Sequence, residues 1–296
     1  MPSLKEVRNR ITSVNSTQQI TKAMKMVAAA KLRRAQDHII RMRPYAQKLS
    51  QMLATVSSGS EAGSQSPYKQ ERDVQRVLFV VITSDRGLCG GFNANVVKAA
   101  NALLVGKYAA QAAKNNVEVM SIGKKGAEAF IRRGFNVNTT HTDVFLSLSF
   151  DKVKAAGEEI MADFKAGKFD VVEVIYNEFK NVATQIVRAE QLLPMASDKT
   201  DTSKTVSSAA NYSFEPSEEQ IIDELIPKAL KMQLYKAVLD SNASEHGARM
   251  TAMDKATENA QDLLKQLRLE YNRSRQAAIT KEILEIVGGA EALAGK

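Results

Sequence analysis

The stretch ITKAMKMVAAAKLRRAQ, residues 20–36, lies inside a segment, residues 4–58, that contains no glycine and a single proline. Steps of three and four residues along this segment meet apolar side chains at thirteen of sixteen positions, a pattern typical of a coiled-coil helix. Such a helix would be about 80 Å long at 1.5 Å per residue. The seam is interrupted once, at Gln18, Thr21 and Lys25, so it either faces a different neighbour there or makes polar contacts with one.

A second coiled-coil pattern lies towards the C-terminus. After a polar stretch, residues 196–216, the same alternation runs from Ile222 to Ala278 and is apolar at thirteen of seventeen positions. From Ile279 the apolar stripe shifts by one position and continues to Leu293. Helices owe most of their stability to tertiary packing, so the two terminal helices are predicted to pair. Because the first enters the middle of the chain and the last leaves it, they should run antiparallel, with both termini at one tip.

The middle of the chain has a different period. The segments VQRVLFVVITSD, VEVMSI and FDVVEVIY are short, apolar and rich in β-branched residues, as buried strands are, and a further short strand is expected near FNVNTT. Helical patterns separate these strands at about 93–113, 124–133 and 151–166. Strand and helix alternate, which predicts an α/β sandwich with a largely parallel sheet.

These patterns predict an α/β protein in which a long antiparallel coiled coil of N- and C-terminal helices carries an inserted α/β domain. The breaks are two polar stretches rich in small residues, which indicate linkers. The predicted parts are a coiled-coil helix (1–58), a linker (59–74), the α/β domain (75–195), a second linker (196–216) and a C-terminal coiled-coil helix (217–296).

The whole surplus of the formal net charge, +8, lies on the first helix. Residues 1–58 carry eleven Lys and Arg against two acids, and this asymmetry indicates a solvated basic face or an acidic partner, whether nucleic acid, anionic lipid or a protein surface. The helix has one aromatic residue, Tyr45, for base stacking, and few large apolar residues for membrane insertion. The basic residues singled out are Lys22, Lys25, Lys31, Arg33, Arg34, Arg41 and Arg43.

The glycine-rich segment SDRGLCGGFNANV, residues 84–96, joins the first strand to a helix, where an α/β domain often holds a nucleotide phosphate. Its G-x-x-G-G spacing matches neither G-x-G-x-x-G nor a P-loop. We therefore expect a tight turn that uses glycine for positive φ, with Asp85 as a helix cap or local ion-pair partner. Cys89 is expected to be a small buried residue rather than a nucleophile.

The remaining acidic, cysteine and histidine residues predict no catalytic or metal-binding site. The acidic pairs Glu158/Glu159 and Glu218/Glu219 occupy adjacent helix positions, so they are expected on solvated faces rather than as acid/base dyads. One cysteine and three scattered histidines predict neither a disulfide nor a metal site, and no cofactor is expected.

The longest uncharged apolar run, residues 77–83, is too short to cross a bilayer, and the N-terminus has no apolar leader segment. We expect a cytosolic chain that meets a membrane only through partners.

Several motifs resemble the γ subunit of F-type ATP synthases in its bacterial form. They are ITKAMKMVAA (20–29), SDRGLCGGFN (84–93), Ser244-Glu245 through Arg249-Met250 with Met253, and the C-terminal pattern Ile279-Thr280-x-Glu282-x-x-Glu285-x-x-x-Gly289-Ala290. These motifs lie at both ends and in the middle, so the resemblance covers essentially the whole chain.

The resemblance implies a Rossmann-like domain and a coiled coil that stands inside a hexamer of α and β subunits. The globular end would rest on a membrane ring of c subunits together with subunit ε, at the cytoplasmic face of the bacterial plasma membrane. The implied role is a non-catalytic shaft that couples proton or sodium flow to ATP synthesis or hydrolysis. Within the matching motifs, residues that resemble β-subunit contacts are Met24, Lys25, Arg275 and Gln276, and those that resemble c-ring contacts are Tyr212, Phe214 and Glu215.

Two other functions stay open on the residues alone. A nucleotide-binding α/β enzyme would bind ATP or NAD, although the glycine spacing at residues 84–96 argues against it. A basic coiled-coil arm that binds nucleic acid would show salt-dependent affinity for RNA or DNA, although no recognised nucleic-acid-binding module is present. Neither role is implied by the resemblance, which predicts no nucleic-acid partner.

Overall fold

The computed structural model describes residues 3–59, 66–195 and 218–294 of the 296. Six α-helices and five strands occupy these ranges. The helices are α1 (Leu4–Gly59), α2 (Phe92–Val105), α3 (Ala109–Ala113), α4 (Lys124–Ile131), α5 (Phe150–Lys165) and α6 (Glu218–Ala294). The strands are β1 (Val77–Ile82), β2 (Val117–Ile122), β3 (Asn136–Asn138), β4 (Val171–Phe179) and β5 (Gln185–Leu193). The predicted fold class is confirmed: two long terminal helices and a central, mainly parallel sheet.

The chain divides into two compact units, and each long helix contributes to both. The first unit comprises Met1–Ala28 and Met250–Lys296, and the second comprises Ala29–Arg249.

The first unit is a two-helix coiled coil. Polar side-chain contacts join its helices at three places: Arg8 with Tyr271, Thr21 with Thr257, and Lys25 with Asp254. Partner numbers fall along α6 as they rise along α1, so the helices run antiparallel, as the sequence predicts. The seam between them is apolar over most of its length. Its buried apolar side chains are Val7, Ala28, Met253, Ala260, Leu264 and Leu267.

The second unit is built on a five-stranded sheet in the order β3-β2-β1-β4-β5. The first four strands are parallel, and β5 pairs antiparallel with β4. Every residue of the central strand β1 is buried, which explains why VLFVVI is continuously apolar rather than alternating. One face of the sheet packs on α5 and on part of α6, and the other packs on α2.

Three details differ from the sequence prediction. Strand β5 was not predicted, because only the last two of its nine residues are buried and the hairpin before it has no glycine. The region expected to be helical at 93–113 is two helices, since α2 ends at Val105, with Gly106 as its C-cap, and α3 begins after Tyr108. The break lets the buried Tyr108 hydroxyl donate to the Glu173 carboxylate across 2.7 Å.

Glu159 on α5 is the third difference. Glu158 is exposed, as predicted, and accepts from Lys231 on α6 at 2.7 Å, whereas Glu159 is partly buried and contacts His141 and Asn138, both at 2.7 Å. These contacts tie α5 to its neighbours. The side chains of the other predicted pair, Glu218 and Glu219, lie outside the described residues.

Candidate functional site

The four residues that resemble β-subunit contacts lie in the first unit but at two separate places. Met24 and Lys25 are half-buried on α1, whereas Arg275 and Gln276 are exposed on α6. The pairing of Arg8 with Tyr271 and of Lys25 with Asp254 fixes the register of the two helices. In that register Arg275 lies about twenty residues along the coiled coil from Lys25, or about 30 Å. The structure therefore brings these residues together as two pairs and not as one cluster.

Polar contacts inside the coiled coil fill the interruption in the α1 seam. The Thr21 and Thr257 hydroxyls lie 2.8 Å apart, and the Lys25 ammonium donates to Asp254 at 2.5 Å. Both partners of the ion pair are about half exposed, so the pair contributes at most about 1 kcal/mol to stability. The second interpretation of the interruption, polar contacts to the neighbour, is thus the one that the structure supports. Asp254 was not identified from the sequence, because it lies outside the apolar alternation of α6.

Beyond the coiled coil, the C-terminal part of α6 exposes a continuous apolar surface. The side chains from Ile279 to Ala290 are all exposed. Helix α1 begins at Leu4, which the register places opposite Arg275, about one turn before this segment. No described part of α1 therefore reaches the segment. The one-position shift of the apolar stripe at Ile279 coincides with this loss of the partner helix. The large apolar side chains concerned are Ile279, Ile283, Leu284, Ile286 and Val287, each 48–70% exposed.

In the second unit, the glycine-rich turn after β1 is a hydrogen-bonded structure. Ser84 donates its backbone N–H to the Asn93 side chain, and the Ser84 hydroxyl donates to the Arg86 carbonyl. Positive φ occurs at Gly90 (60°) and at Leu88 (63°), whose side chain is exposed. The prediction of a turn that needs glycine is thus right for Gly90. Sequence reasoning missed Leu88, which adopts positive φ although it is not glycine.

Asp85 and Cys89, which belong to this turn, have the contacts and the burial that the sequence predicts. Asp85 accepts the backbone N–H of Lys124 at 3.2 Å and so caps the start of α4. Cys89 is buried beside Ser84 and Asn93. Both residues therefore have structural roles here, as predicted.

Arg249 on α6 holds the outer side of this turn. Its guanidinium donates to the carbonyls of Gly87 and Arg86, at 2.5 and 3.2 Å, and to the Glu245 carboxylate at 2.5 Å. Burial raises the pKa of Glu245, while the charge and the hydrogen bond of Arg249 oppose that rise. The arrangement fixes the turn to α6 through a charged pair that is almost fully buried.

Asp240 and His246, also on α6, are buried with opposite consequences for pH dependence. Burial raises the pKa of Asp240 from 3.8 to about 6, helped by Glu178 and Glu190 and opposed by Lys236 and Arg43. Burial lowers the pKa of His246 from 6.5 to about 4, helped by Lys31 and Arg249. The folded state thus binds more protons at Asp240, and fewer at His246, than the unfolded state. As pH rises from 4 to 6, Asp240 therefore lowers the free energy of unfolding and His246 raises it, so the two contributions oppose each other.

Replacing Asp240 with Asn should therefore reveal the His246 contribution. We expect the variant to match wild type near pH 4 and to be more stable by as much as about 3 kcal/mol at pH 7, where wild type buries an ionised carboxylate. The measurement is the free energy of unfolding in urea at half-unit steps from pH 4 to 7.5. A difference between the two proteins that does not change with pH would contradict the assignment to Asp240.

The residues expected to contact the c ring, Tyr212, Phe214 and Glu215, lie outside the described residues. Among the helices of the described ranges, none combines the length and the apolar character that crossing a membrane requires.

Comparisons with known proteins agree with this architecture. A family model described as ATP synthase matches residues 3–293. The ATP synthase gamma chain of Cytophaga hutchinsonii is 62% identical over 99% of both chains, and that of Flavobacterium johnsoniae is 53% identical over the full length of both.

Solved structures show the same fold. A chain of the central stalk and c-ring structure of Tetrahymena thermophila mitochondrial ATP synthase is 25% identical, with a TM-score of 0.58 over 80% of this chain and 99% of that chain. A chain of the Euglena gracilis mitochondrial ATP synthase is 19% identical, with a TM-score of 0.64 over 98% and 94%. With a family match across nearly the whole sequence and relatives of more than half identical residues, this chain belongs to the ATP synthase γ-chain family.

Proposed function

We propose that this chain is the central-stalk rotor shaft of an F-type ATP synthase. It couples proton or sodium flow through a c ring to ATP synthesis or hydrolysis at the β subunits. Catalysis takes place on those subunits, and this chain supplies no catalytic residue, cofactor site or metal site. Its partners are the α and β subunits of the hexameric head, subunit ε and the c ring. It lies at the cytoplasmic face of the bacterial plasma membrane, which it meets only through these partners.

The observation that carries this proposal is the exposed apolar end of α6. Five large apolar side chains between Ile279 and Val287 face outward on a helix that has no described neighbour. Contiguous apolar surface on a soluble protein marks a site that another chain covers. A single helix end is covered on all sides only if it enters an opening in its partner, and the centre of a ring of α and β subunits is such an opening.

The polar residues near this end fit a contact that changes during rotation. A partner that bound every orientation of the shaft equally would shift none of them, so torque needs contacts specific to certain angles. Arg275 and Gln276 are exposed on α6, and we propose that they meet the β subunits. Met24 and Lys25 form a second contact, where Lys25 is shared between Asp254 and the partner. Tyr212, Phe214 and Glu215 complete the proposal as the c-ring contact.

Purification of the tagged chain from gently solubilised membranes tests the proposal directly. We expect a large complex with Mg-ATPase activity and about one copy of this chain per six head subunits. Native mass, partner identities and activity are recorded from the same preparation. Recovery of the chain as a free soluble protein, without partners or ATPase activity, would contradict the shaft function. Salt-dependent affinity for RNA would then be the next property to measure.

Reversal of the charge at Arg275 should weaken coupling without affecting folding. The side chain is exposed, and exposed substitutions away from special features change stability by no more than about 0.5 kcal/mol. Removing one partner of a buried, hydrogen-bonded charge pair across an interface costs about 2 kcal/mol or more. Because the proposed β-subunit contact would bury Arg275 in such a pair, we expect ATP-driven ion pumping in Arg275→Glu vesicles to fall at least severalfold. Pumping is followed with a fluorescent pH or sodium probe.

Arg273 provides the matched control for this variant. It is also an exposed arginine, two residues away on the same helix but outside the proposed contact. Arg273→Glu should pump at close to the wild-type rate. Equal losses in both variants would point to general repulsion and would remove the specific function of Arg275.

A further inference from the structure

A cleft in the second unit lies beside the seam between α1 and α6 and has a volume of about 290 Å³. We call it the α1–α6 cleft. Residues 31, 34, 35 and 38 of α1 form one wall, and residues 235, 239, 242 and 246 of α6 form the facing wall. Both sets recur at three- and four-residue steps, so each presents one helix face. A third wall comes from the segment before α5. Its side chains are Phe145 and Leu148.

The α1 wall is basic. Lys31, Arg34 and His38 line the cleft from exposed positions. Within the described part of the chain, neither Lys31 nor Arg34 forms an ion pair, and no carboxylate lies among the lining residues. Two permanent positive charges thus line a concave site that has no acid in its own lining, which favours an anion. Lys31 interacts electrostatically with Glu245, which is already paired with Arg249.

The α6 wall offers an unpartnered polar atom. His246 is about nine-tenths buried, and its Nδ1 atom forms no hydrogen bond among the described residues. The nearest carboxylate oxygen, on Glu245, is 4.0 Å away and is engaged by Arg249. A buried polar atom without a partner costs about 1–3 kcal/mol, so a ligand that supplies this hydrogen bond recovers stability. Asn242, one turn earlier on the same face, adds an amide.

The rest of the cleft is apolar. Phe145, Leu148, Tyr235 and Leu239 line it opposite the charged residues. The Tyr235 ring is held in place by edge-to-face packing on Phe150, with centroids 5.3 Å apart. The volume is close to the lower limit of small-molecule sites, which measure about 300–1,000 Å³. A site of this size suits a small molecule with a charged head and an apolar body rather than a folded protein segment.

We propose that the α1–α6 cleft binds a small phosphomonoester. A phosphomonoester carries a charge of about −1.5 to −2 and three acceptor oxygens at neutral pH, which matches Lys31 and Arg34 together with one further hydrogen bond from His246. Its organic body would lie on the Tyr235 and Phe145 side. Because one ligand would then contact both α1 and α6, binding should also stabilise this part of the chain.

Calorimetric titration of the full chain at low salt tests this proposal with matched probes. Phenyl phosphate has both the phosphate group and an aromatic ring. Inorganic phosphate has the phosphate group alone, and phenol has the aromatic ring alone. We expect phenyl phosphate to bind with a Kd below about 1 mM and at least about tenfold more tightly than either of the others. Titrations with AMP and dihexanoyl phosphatidic acid then distinguish a nucleotide from a lipid headgroup as the source of the phosphomonoester.

Variants locate the binding. Lys31→Gln/Arg34→Gln should weaken phenyl phosphate binding at least about tenfold and leave the thermal unfolding of the chain unchanged, since both side chains are exposed. Arg33→Gln/Arg41→Gln removes the same charge from exposed positions of α1 outside the cleft and should weaken it less than about twofold. Equal losses in the two double variants would show diffuse charge attraction and overturn the proposal. Equal affinities for phenyl phosphate and inorganic phosphate, or no binding at about 10 mM, would overturn it as well.

Discussion

Alanine at Gly123 is expected to destabilise the second unit by about 4 kcal/mol or more, because two independent penalties meet at this position. Gly123 joins β2 to α4 with φ of 104°, in the region that side chains other than glycine rarely adopt. An added Cβ would also lie 2.0 Å from the carbonyl oxygen of Thr83. A contact this short with a backbone atom cannot be relieved by rotating a side chain.

The surroundings of Gly123 leave little room for adjustment. The Thr83 backbone N–H donates to Ile122 at 2.9 Å, and the Thr83 hydroxyl accepts the N–H of Gly126 at 2.8 Å. The buried Ser121 hydroxyl donates to the carbonyl of Gly123 itself at 2.7 Å. Moving Thr83 would therefore break the ends of β1 and β2 and the first turn of α4 together. Such tightly packed interiors transmit strain rather than absorb it.

Gly134→Ala is the control for the Gly123 prediction. Gly134 also has positive φ, 81°, but nothing lies within 4 Å of the added Cβ. The Gly134→Ala variant should lose only the cost of holding alanine at positive φ, about 1–2 kcal/mol. Both losses can be measured by urea unfolding of the full chain followed by circular dichroism. Similar losses in the two variants would show that the close approach to Thr83 adds nothing.

How far the sequence predicts this fold depends on the range of the interactions involved. The long helices and strands β1, β2 and β4 are predicted because their side-chain period, apolar content and length are local properties. Strand β5 is an edge strand with an alternation disturbed by Arg188 and Glu190, and only its pairing with β4 makes it a strand. The break at Gly106 depends similarly on the burial of Tyr108 against Glu173, 65 residues away.

The candidate sites depend even more on distant contacts. The polar interruption at Thr21 and Lys25 is visible in the sequence, but its partners Thr257 and Asp254 are identified only by the antiparallel register. The same register separates Lys25 from Arg275, which the resemblance had placed in one group of contacts. The shift of the apolar stripe at Ile279 is visible in the sequence. That it marks the loss of the partner helix can be inferred only from the residue at which α1 begins.

Loss of the Arg249 side chain is the second large effect that we expect. In Arg249→Leu, Glu245 stays almost fully buried without its cation, and the carbonyls of Arg86 and Gly87 lose their donor. Removing one partner of a buried ion pair costs about 3–5 kcal/mol, and we expect a loss of about 4 kcal/mol at pH 7.5. Arg268→Leu, at an exposed position further along α6, should change stability by less than about 0.5 kcal/mol.

The pH dependence of this loss separates the buried charge from simple loss of packing. Burial already raises the pKa of Glu245, and Arg249 opposes that rise, so without Arg249 the pKa rises further. A carboxyl group whose pKa is raised on folding makes stability fall as pH rises, because the folded state holds the proton more tightly. The cost of Arg249→Leu should therefore be smaller at pH 5 than at pH 7.5 in urea unfolding. Adding Glu245→Gln to this variant removes the buried charge and should recover part of the stability at pH 7.5. A cost that is the same at both pH values and is not relieved by Glu245→Gln would mean that Arg249 acts through its contacts to the turn alone.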